Sequence, residues 1–431
     1  MTAGGWRELR EECEGELFGN ILPFWTSVAV DGAEIGFHGS IDGSGTVDGT
    51  ADKGLVMHAR LLWTFSAARR FRDDPEYAAA AERACDFLER YLADRVHGGY
   101  WWRTDFRGAP VDRHKVVYGQ AFALYAFAES LRIGEGTTGD EGAGGVKDEG
   151  DARSAEGARD RADELFVLLE RYARDPESGG YREILAEDWT PVPDGRLSDA
   201  DIPCDKSMNT NLHIIEAYTN YFRVRRDSVV REALEAVVDW FAAAIYDGAR
   251  GHLKLFLDGN GASLAEVDSY GHDIEAAWLL HEAGEELGGS WPEKLWPVVR
   301  GLAEAAVRDG MRGADGALGY ETHGGRRNDE RVWWVQAEAM VGSRCLWEIT
   351  GDEVWARRCL GFWTYIKENL VDAEAGEWLP GVAADGSALP GREKGGLWKT
   401  PYHNGRACME MMMRIGAASK TGVGEIPQTD G

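Results

Sequence analysis

Residues 206–224 read KSMNTNLHIIEAYTNYFRV, and their spacing of apolar side chains indicates how the chain folds. Met208, Leu212, Ile215 and Phe222 are separated by intervals of four, three and seven residues. Because an α-helix has about 3.6 residues per turn, these side chains share one face, and the stretch predicts a helix over 208–226. The same periodicity recurs and predicts eleven further helices, over 6–19, 54–73, 77–93, 115–132, 159–173, 229–245, 271–287, 294–308, 333–350, 353–369 and 402–417. Twelve helices predict an all-α protein.

A glycine next to an aromatic or histidine residue recurs between the predicted helices. It occurs at Gly36, Gly99, Gly180, Gly251 and Gly319, and in the last copy, Gly376-Glu377-Trp378, one residue separates the glycine from the aromatic. Glycine permits the positive φ that tight turns require, and an aromatic residue beside it suits a short strand. Six copies of a two-helix unit are typical of an (α/α)6 barrel, a toroid of twelve helices in which six inner helices are sheathed by six outer ones. We therefore predict a single domain over residues 1–431, with short β-hairpins or loops at one end.

Two segments differ in composition from this repeat. Residues 134–160, GEGTTGDEGAGGVKDEGDARSAEGARD, contain no aromatic residue, many glycines and an acidic excess. Such a composition buries too little apolar surface to order itself, so we predict a flexible acidic loop between two helices. The tail from about residue 420 is expected to be frayed.

The charge balance excludes several classes of partner. Asp and Glu number 74 against 47 for Lys and Arg, which gives a formal net charge of −27. Nucleic-acid phosphates and anionic lipids need a basic face, so we expect neither nucleic acid nor a membrane as a partner. No run approaches the roughly 18 apolar residues of a membrane span, and residues 1–20 lack the apolar core of a signal peptide. The sequence predicts a cytoplasmic protein, a monomer or a weak homo-oligomer.

Cysteine and tryptophan usage adds two further expectations. The 6 cysteines form no CxxC pair and have no zinc-like spacing, so we interpret them as small core residues in a reducing compartment. The 17 tryptophans are an unusual number and leave two interpretations open. They fill the core, or their flat rings stack on sugars while the indole N–H groups donate outward.

Polar and aromatic side chains that are out of character for a helix face lie in the first two turns of every second predicted helix. These residues are Arg60, Tyr118, Asn209, His213, His272, Glu275, Trp334, Glu338 and His403. If these helices form the inner ring, their N-termini meet at one end, and pairs three or four residues apart share one inward face. Each residue alone has a structural explanation, such as a helix cap, a core position or, for Arg60, a buried ion pair. Their joint placement predicts a central pocket for chemistry on a polar small molecule.

The motifs that the sequence lacks narrow the chemistry of this pocket. It has no HExxH zinc motif, no Gly-rich phosphate loop after a strand and no nucleophile elbow. His272 and Glu275 could share a metal, but no second matching pair accompanies them. What remains is acid–base chemistry by histidine without a cofactor or metal, because an imidazole takes and gives a proton near neutral pH.

Five stretches together resemble the N-acylglucosamine 2-epimerase superfamily, and most of all its cellobiose 2-epimerase branch. They are ADKGLVMHARLLWTFSAA, KSMNTNLHIIEAYTNYFRV, SYGHDIEAAWLL, RVWWVQAEAMVG and GLWKTPYHNGRACMEM, in the family's order over nearly the whole chain. The fold that this resemblance implies, an (α/α)6 barrel, agrees with the twelve predicted helices. Asn211, where many relatives have histidine, and the 134–160 insertion depart from the family pattern and leave substrate preference open.

The resemblance also implies a role for each matching residue. His272 and His403 match the catalytic acid–base pair, and His213 matches a third active-site histidine. Arg60 and Asn209 match residues that bind oxygens of the reacting sugar. The family's pocket glutamates and pocket-lining aromatics match Glu275, Glu338, Tyr118, Trp278, Trp334 and Trp398.

The implied activity is cofactor-independent inversion of C2 in a reducing-end aldose, such as cellobiose to glucosyl-mannose or lactose to epilactose. After the ring opens, one histidine removes the C2 proton, and Arg60 stabilises the cis-enediolate. The proton returns on the other face after rotation about C2–C3 or from the second histidine. The second route expects one neutral and one charged histidine at the start. Glu275, one turn from His272, is expected to set the tautomer of that imidazole.

Three other functions fit parts of the pattern. A D-mannose 2-epimerase or a mannose–fructose isomerase would use the same enediolate. A glycosidase would need two carboxylates flanking the scissile bond. A non-catalytic glycan-binding toroid would explain the tryptophans, but not two histidines at helix starts beside an arginine.

Overall fold

The computed structural model describes residues 3–32, 35–133, 149–192, 202–259, 261–313 and 315–421. The helices in these residues are α1 (Ala3–Glu16), α2 (Leu22–Ser27), α3 (Leu55–Phe71), α4 (Pro75–Phe87), α5 (Val117–Leu131), α6 (Glu149–Leu168), α7 (Met208–Val224), α8 (Ser228–Trp240), α9 (Tyr270–Leu287), α10 (Trp291–Gly310), α11 (Trp333–Thr350), α12 (Glu353–Asn369) and α13 (Tyr402–Thr421). A π-helical turn, Leu17–Ile21, joins α1 to α2, and similar turns extend α4, α6 and α8. Counting α1 and α2 as one unit, each of the twelve predicted spans is a helix.

Six helices form a closed inner ring. In order around the ring they are α3, α5, α7, α9, α11 and α13, and α13 packs against α3 to close it. The outer helices α1, α4, α6, α8, α10 and α12 pack against the outside of this ring. The first 14 residues of α3, 55–68, are all buried, because inner helices are covered on every side. The predicted (α/α)6 barrel is confirmed.

Short strands lie at the end of the barrel where the inner helices begin. They are β1 (Ser40–Asp42), β2 (Val47–Asp48), β3 (Lys53–Gly54), β4 (Arg103–Thr104), β5 (Pro110–Asp112), β6 (Lys115–Val116), β7 (Ile184–Leu185), β8 (Lys206–Ser207), β9 (Tyr246–Asp247), β10 (His252–Leu253), β11 (Phe256–Leu257), β12 (Val267–Ser269), β13 (Glu321–His323), β14 (Arg326–Asn328), β15 (Arg331–Val332), β16 (Gly381–Val382) and β17 (Glu393–Gly396). They pair antiparallel in the orders β17–β1–β2, β3–β4–β5, β12–β13–β14, β6–β7, β8–β11, β9–β10 and β15–β16. Because β3, β6, β8, β12 and β15 each end directly before an inner helix, they fix where that helix starts.

Most of the repeated glycine–aromatic pairs close tight turns after the outer helices. The backbone N–H of Tyr100 donates to Gln120 Oε1 (3.0 Å), and its carbonyl accepts from Gln120 Nε2 (2.7 Å). Asn211 binds the backbone of Tyr181 in the same way, at 2.8 and 3.2 Å. Gln120 and Asn211 are both the fourth residue of an inner helix. Asn211 therefore holds the turn at Tyr181 against the start of α7 through two hydrogen bonds. The residue that departs from the family pattern thus has a structural role.

The predicted 134–160 loop is wrong over its second half. Helix α6 begins at Glu149, so residues 149–160 are helical, while 134–148 lie outside the described residues. Residues 152–160, ARSAEGARD, are rich in Ala, Arg and Glu, which favour a helix without any apolar face. At the C-terminus α13 extends to Thr421, and the rest of the predicted frayed tail lies outside the described residues.

The sequence also predicted that the chain has no membrane span and that its cysteines are core residues. Each helix in the described residues is too short or too polar to cross a membrane. All six cysteines are free thiols, and four of them, Cys13, Cys345, Cys359 and Cys408, are buried, as expected of core residues.

Candidate active site

A cavity of about 470 Å³ lies at the end of the barrel where the inner helices begin. Every inner helix contributes a side chain from its first two turns. The predicted site residues that line it are Arg60, Tyr118, Asn209, His213, His272, Glu275, Trp334, Trp398 and His403. The structure therefore brings most of the predicted residues to one cavity, whereas Glu338 and Trp278 lie behind its wall.

His403 is held from behind by a carboxylate. Its Nδ1 lies 2.6 Å from Glu338 Oε1, and both side chains are buried. Burial lowers the pKa of His403 to about 3, although the negative charge of Glu338 opposes this shift. Because the carboxylate only accepts, it holds the ring proton on Nδ1 and leaves the Nε2 lone pair free.

His272 has a neutral partner, which corrects the expected pairing with Glu275. Its Nδ1 lies 2.7 Å from the hydroxyl of Ser269, the residue directly before α9. Burial lowers the pKa of His272 to about 3, and the nearby His213 and His403 lower it further. Both imidazoles are thus neutral near pH 7, so the expected starting pair of one neutral and one charged histidine is wrong.

Behind the histidines, three buried glutamates converge on Arg406. The guanidinium donates from Nη1 to Glu216 and from Nη2 to Glu275 Oε1 (2.8 Å) and Glu338 Oε1 (2.6 Å). Burial and the charge of Glu338 raise the pKa of Glu275 well above its usual range. Burial also opposes ionisation of Glu338, but the charges and hydrogen bonds of Arg406 and His403 together outweigh it and lower the pKa of Glu338 to about 2. The raised pKa favours the protonated form of Glu275, whereas the lowered pKa of Glu338 keeps that carboxylate ionised beneath His403.

His213 has a carboxylate partner from its own helix. Its Nδ1 lies 2.7 Å from Glu216 Oε2, and Tyr402 donates its hydroxyl to the other oxygen of Glu216. Burial lowers the pKa of His213, and the Arg60 and Arg406 charges lower it further against the opposing pull of Glu216. The ring meets Tyr118 edge-on at 5.0 Å, which fixes its orientation in the cavity wall.

Arg60 is a buried cation whose hydrogen bonds go to neutral oxygens. Nη1 donates to the carbonyl of Trp398 (2.9 Å), and Nη2 donates to the hydroxyl of Tyr118 (2.8 Å). Among the described residues it forms no salt bridge, so the alternative of a buried ion pair is not observed. Its Nε and the buried Oδ1 of Asn209 have no hydrogen-bond partner within the described ranges. A cavity with an uncompensated cation and unpaired polar atoms suits a ligand rich in oxygens.

The aromatic predictions divide between cavity and core. Trp334 lies between the reacting groups, with ring centroids 4.7 Å from His272 and 5.6 Å from His403. Trp398 is 40% exposed at the cavity mouth. Trp278 is fully buried and donates its indole N–H to Glu338 Oε2 (2.9 Å), so its predicted place in the pocket lining is wrong. It stands a turn further from the helix N-terminus than Glu275, beneath the cavity.

Sequence reasoning missed Ser269, Glu216, Tyr402, Arg406 and Lys399. Glu216 and Arg406 stand three residues after His213 and His403, so the spacing rule that found the other pairs also reaches them. Ser269 has the residue type and position of an N-cap, which concealed its contact with His272.

One group of side chains has the geometry of a metal site. Ligand atoms of Glu275, Glu338 and His403 lie within 4.8 Å of one another. Arg406 Nη2, however, donates to both side chains, so a cation here would have to displace a guanidinium that already binds their oxygens. The residues fit an ion-pair network better than a metal.

Comparison with known proteins places the chain in a family. Residues 36–407 match the N-acylglucosamine 2-epimerase (GlcNAc 2-epimerase) family. A cellobiose 2-epimerase from Bacteroides fragilis is 38% identical over 94% of this chain and 98% of its own length. The structure of cellobiose 2-epimerase from Spirochaeta thermophila is 40% identical, with a TM-score of 0.85 over 96% of this chain and 98% of that one. A D-mannose isomerase structure shares the fold at 21% identity, with a TM-score of 0.77 over 93% and 97% of the two chains. This chain is a carbohydrate epimerase of the N-acylglucosamine 2-epimerase family.

Proposed function

We propose that the protein inverts C2 of the reducing-end sugar of a disaccharide, converting cellobiose to glucosyl-mannose and lactose to epilactose. The observation that carries this proposal is the pair of neutral imidazoles, His272 and His403, in one cavity with a cation, Arg60, that forms no salt bridge among the described residues. The likeness to cellobiose 2-epimerases over nearly the full chain favours a disaccharide over mannose.

In the proposed mechanism His403 removes the C2 proton from the open-chain aldose. Its Nε2 is free because Glu338 holds the other ring proton. The imidazolium that forms lies against the ionised Glu338, which offsets the new charge in a buried site. Arg60, with Asn209 beside it, stabilises the oxyanion of the cis-enediolate. As the ring opens, the neutral His272 or His213 can take the O1 proton on its unprotonated ring nitrogen and then give that proton to the ring oxygen, and the reverse transfer closes the ring.

The neutral state of His272 bears on how the proton returns. A neutral imidazole that gave up its only ring proton would become an anion, which Ser269 cannot compensate. Rotation about C2–C3 instead lets the His403 imidazolium return the proton to the opposite face. We propose this single-histidine route for C2.

We extend the proposal to the conditions of the reaction. The enzyme works without a metal or nucleotide, in the cytoplasm, on a small sugar, and as a monomer or a weak homo-oligomer. The occupation of both carboxylates by Arg406 supports the absence of a metal, and the net charge of −27 argues against nucleic acid and anionic membranes as partners.

The test is incubation with cellobiose, lactose, mannose and glucose, separately, in heavy water with excess chelator. NMR should show deuterium at C2 of the reducing unit of cellobiose, together with glucosyl-mannose. Release of free glucose would indicate a glycosidase, and fructose formed from mannose without disaccharide turnover would indicate an isomerase. Binding without exchange at any C2 and without formation of a C2 epimer would indicate a glycan-binding toroid.

A further inference from the structure

Glu377 occupies a backbone position that glycine occupies in three other units of the barrel. In those three units, a glycine follows five residues after the aspartate that begins the turn, at Gly36, Gly99 and Gly180. In the last unit, the residue at the same place is Glu377. Their φ angles are 66°, 67°, 68° and 65°. In all four turns the carbonyl of this residue accepts from the backbone N–H of the aspartate. Glycine adopts this left-handed conformation without strain, whereas glutamate adopts it at a cost in free energy. The presence of glutamate here therefore points to a role for its side chain.

The space around this position also differs between the units. A Cβ at Gly99 would come within 2.7 Å of Trp189, and one at Gly180 within 2.6 Å of Trp240. Those two turns therefore have no room for a side chain. The last turn holds the whole of Glu377, fully buried.

The Glu377 carboxylate binds both sides of the start of α13. Oε1 accepts from Lys399 Nζ (2.5 Å), three residues before the helix, and from Asn404 Nδ2 (2.8 Å), next to His403. Oε2 accepts from the indole of Trp25 (3.2 Å). In their own units, Gln120 and Asn211 form hydrogen bonds with the backbone of the turn. In the last unit, the Asn404 amide instead donates to the Glu377 carboxylate.

Lys399 links Glu377 to the cavity, because it binds the carboxylate and also lines the cavity wall. It lines the cavity, is 5% exposed, and places its ammonium 4.3 Å from the centre of the Trp333 ring. The residue before it, Trp398, accepts the Arg60 hydrogen bond through its carbonyl (2.9 Å). Burial lowers the pKa of Lys399 and Glu377 opposes that shift, so loss of the carboxylate would favour a neutral, unanchored amine.

We propose that Glu377 is a positioning residue for the reaction, an inference that rests on the proposed function. By holding Lys399 and Asn404 together, it fixes the distance between the Trp398 carbonyl, which aims Arg60, and His403. The base and the oxyanion-binding cation thus keep one relative placement, which acid–base catalysis requires. Backbone strain at this turn is the cost of that placement.

The decisive variant is Glu377→Gly, which restores the residue found in the other turns and relieves the strain. We expect kcat on the sugar that the parent turns over to fall about tenfold or more, because misplacement by about 1 Å can cost 100-fold. KM should change less than kcat. In ¹⁵N NMR spectra the His403 ring resonances should shift. Glu377→Gln, whose amide oxygen still accepts from Lys399 or Asn404, should retain more activity than Glu377→Gly.

The control is Asp94→Asn, which weakens a buried Lys115–Asp94 pair of another unit, 2.7 Å in length. It should lower Tm while leaving the kcat of the folded enzyme unchanged. Parent-like kcat and unshifted His403 resonances in Glu377→Gly would overturn the inference, as would a loss of kcat no larger than the unfolded fraction. If the parent forms no C2 epimer and shows no C2 exchange on any sugar, the proposed function fails, and the His403 resonances still decide whether Glu377 positions the ring.

Discussion

His403 and His272 face the same cavity from α13 and α9, with Trp334 against both rings, yet the atoms behind the two rings differ. Behind His403 lies the ionised Glu338, itself held by Arg406 and Trp278. Behind His272, the hydrogen-bond partner in the described part of the chain is the neutral hydroxyl of Ser269. Both pKa values are lowered to about 3 by burial, so both rings begin neutral. Of the two rings, however, only that of His403 is hydrogen-bonded to a carboxylate of the described residues, which can compensate a proton taken from substrate.

This difference separates two roles that sequence spacing makes look alike. An imidazolium at His403 is compensated by a carboxylate 2.6 Å away, whereas an imidazolium at His272 would be buried beside a neutral group. Burying an unpaired charge is unfavourable. We therefore assign removal of the C2 proton to His403. We assign to His272 the proton transfers of ring opening and closing, which it begins as a neutral imidazole.

The largest expected effect is that of removing the base itself. His403→Ala should lower kcat by about 10²–10⁴-fold, the usual contribution of general acid–base catalysis, and His272→Ala should lower it by less. The measurement is turnover of the best sugar by variants with unchanged circular dichroism. If His272→Ala were the more damaging of the two, the assignment would be reversed.

Isotope retention sharpens the same comparison without a variant. With C2-deuterated cellobiose in ordinary water, a single histidine that takes and returns the proton should leave some deuterium in the product. Complete washout at the earliest times would favour two histidines and would break the single-histidine route.

Glu338→Gln should have the next largest effect. The amide oxygen can still accept from Nδ1, but the compensating charge is lost, so we expect kcat to fall roughly 10–100-fold, less than on loss of the base. Because Glu338 favours the imidazolium, its removal should lower the pKa of His403 further and move the acid limb of kcat to lower pH. A pH profile of kcat that extends below the His403 pKa of about 3, from about pH 2 to 8, tests the direction. A limb that moves upward would contradict the assignment.

Glu338 also contributes to stability with a definite sign. Its folded pKa, about 2, lies below the ordinary value of 4.5, so its contribution is present above pH 4.5 and is lost as pH falls toward 2. The Tm difference between parent and Glu338→Gln should accordingly be larger at pH 7 than in acid.

Ser269→Ala should have a smaller effect. It frees Nδ1 of His272 without changing any charge, so kcat should fall by up to about tenfold, the upper end of what a neutral hydrogen bond contributes. The acid limb of the pH profile should stay in place, in contrast with Glu338→Gln. A limb shift as large as that of Glu338→Gln would mean that His272 also titrates in the reaction.

Local periodicity predicted the helices and the convergence of site residues, because both follow from which face of one helix a side chain occupies. Partners that come from different elements could not be predicted this way. Glu275 stands one turn from His272, yet it binds Arg406 of α13, since the ring of helices brings that guanidinium closer. Trp278 lies in α9 with His272 and Glu275, but its side chain is beneath the cavity, where it binds Glu338.

The smallest expected effect concerns the side chain of Trp398. Its ring lies at the cavity mouth, 5.8 Å from Trp102 and 5.9 Å from Tyr118, and is 40% exposed. From there it can stack on the sugar unit attached to the reacting one, where an aromatic contact worth about 1 kcal/mol changes kcat/KM roughly fivefold. Trp398→Ala keeps the carbonyl that binds Arg60, so it should lower kcat/KM for cellobiose and leave mannose turnover and deuterium retention nearly unchanged. Equal losses on cellobiose and mannose would place Trp398 beside the reacting sugar or in a structural role, and would strengthen a mannose-specific function.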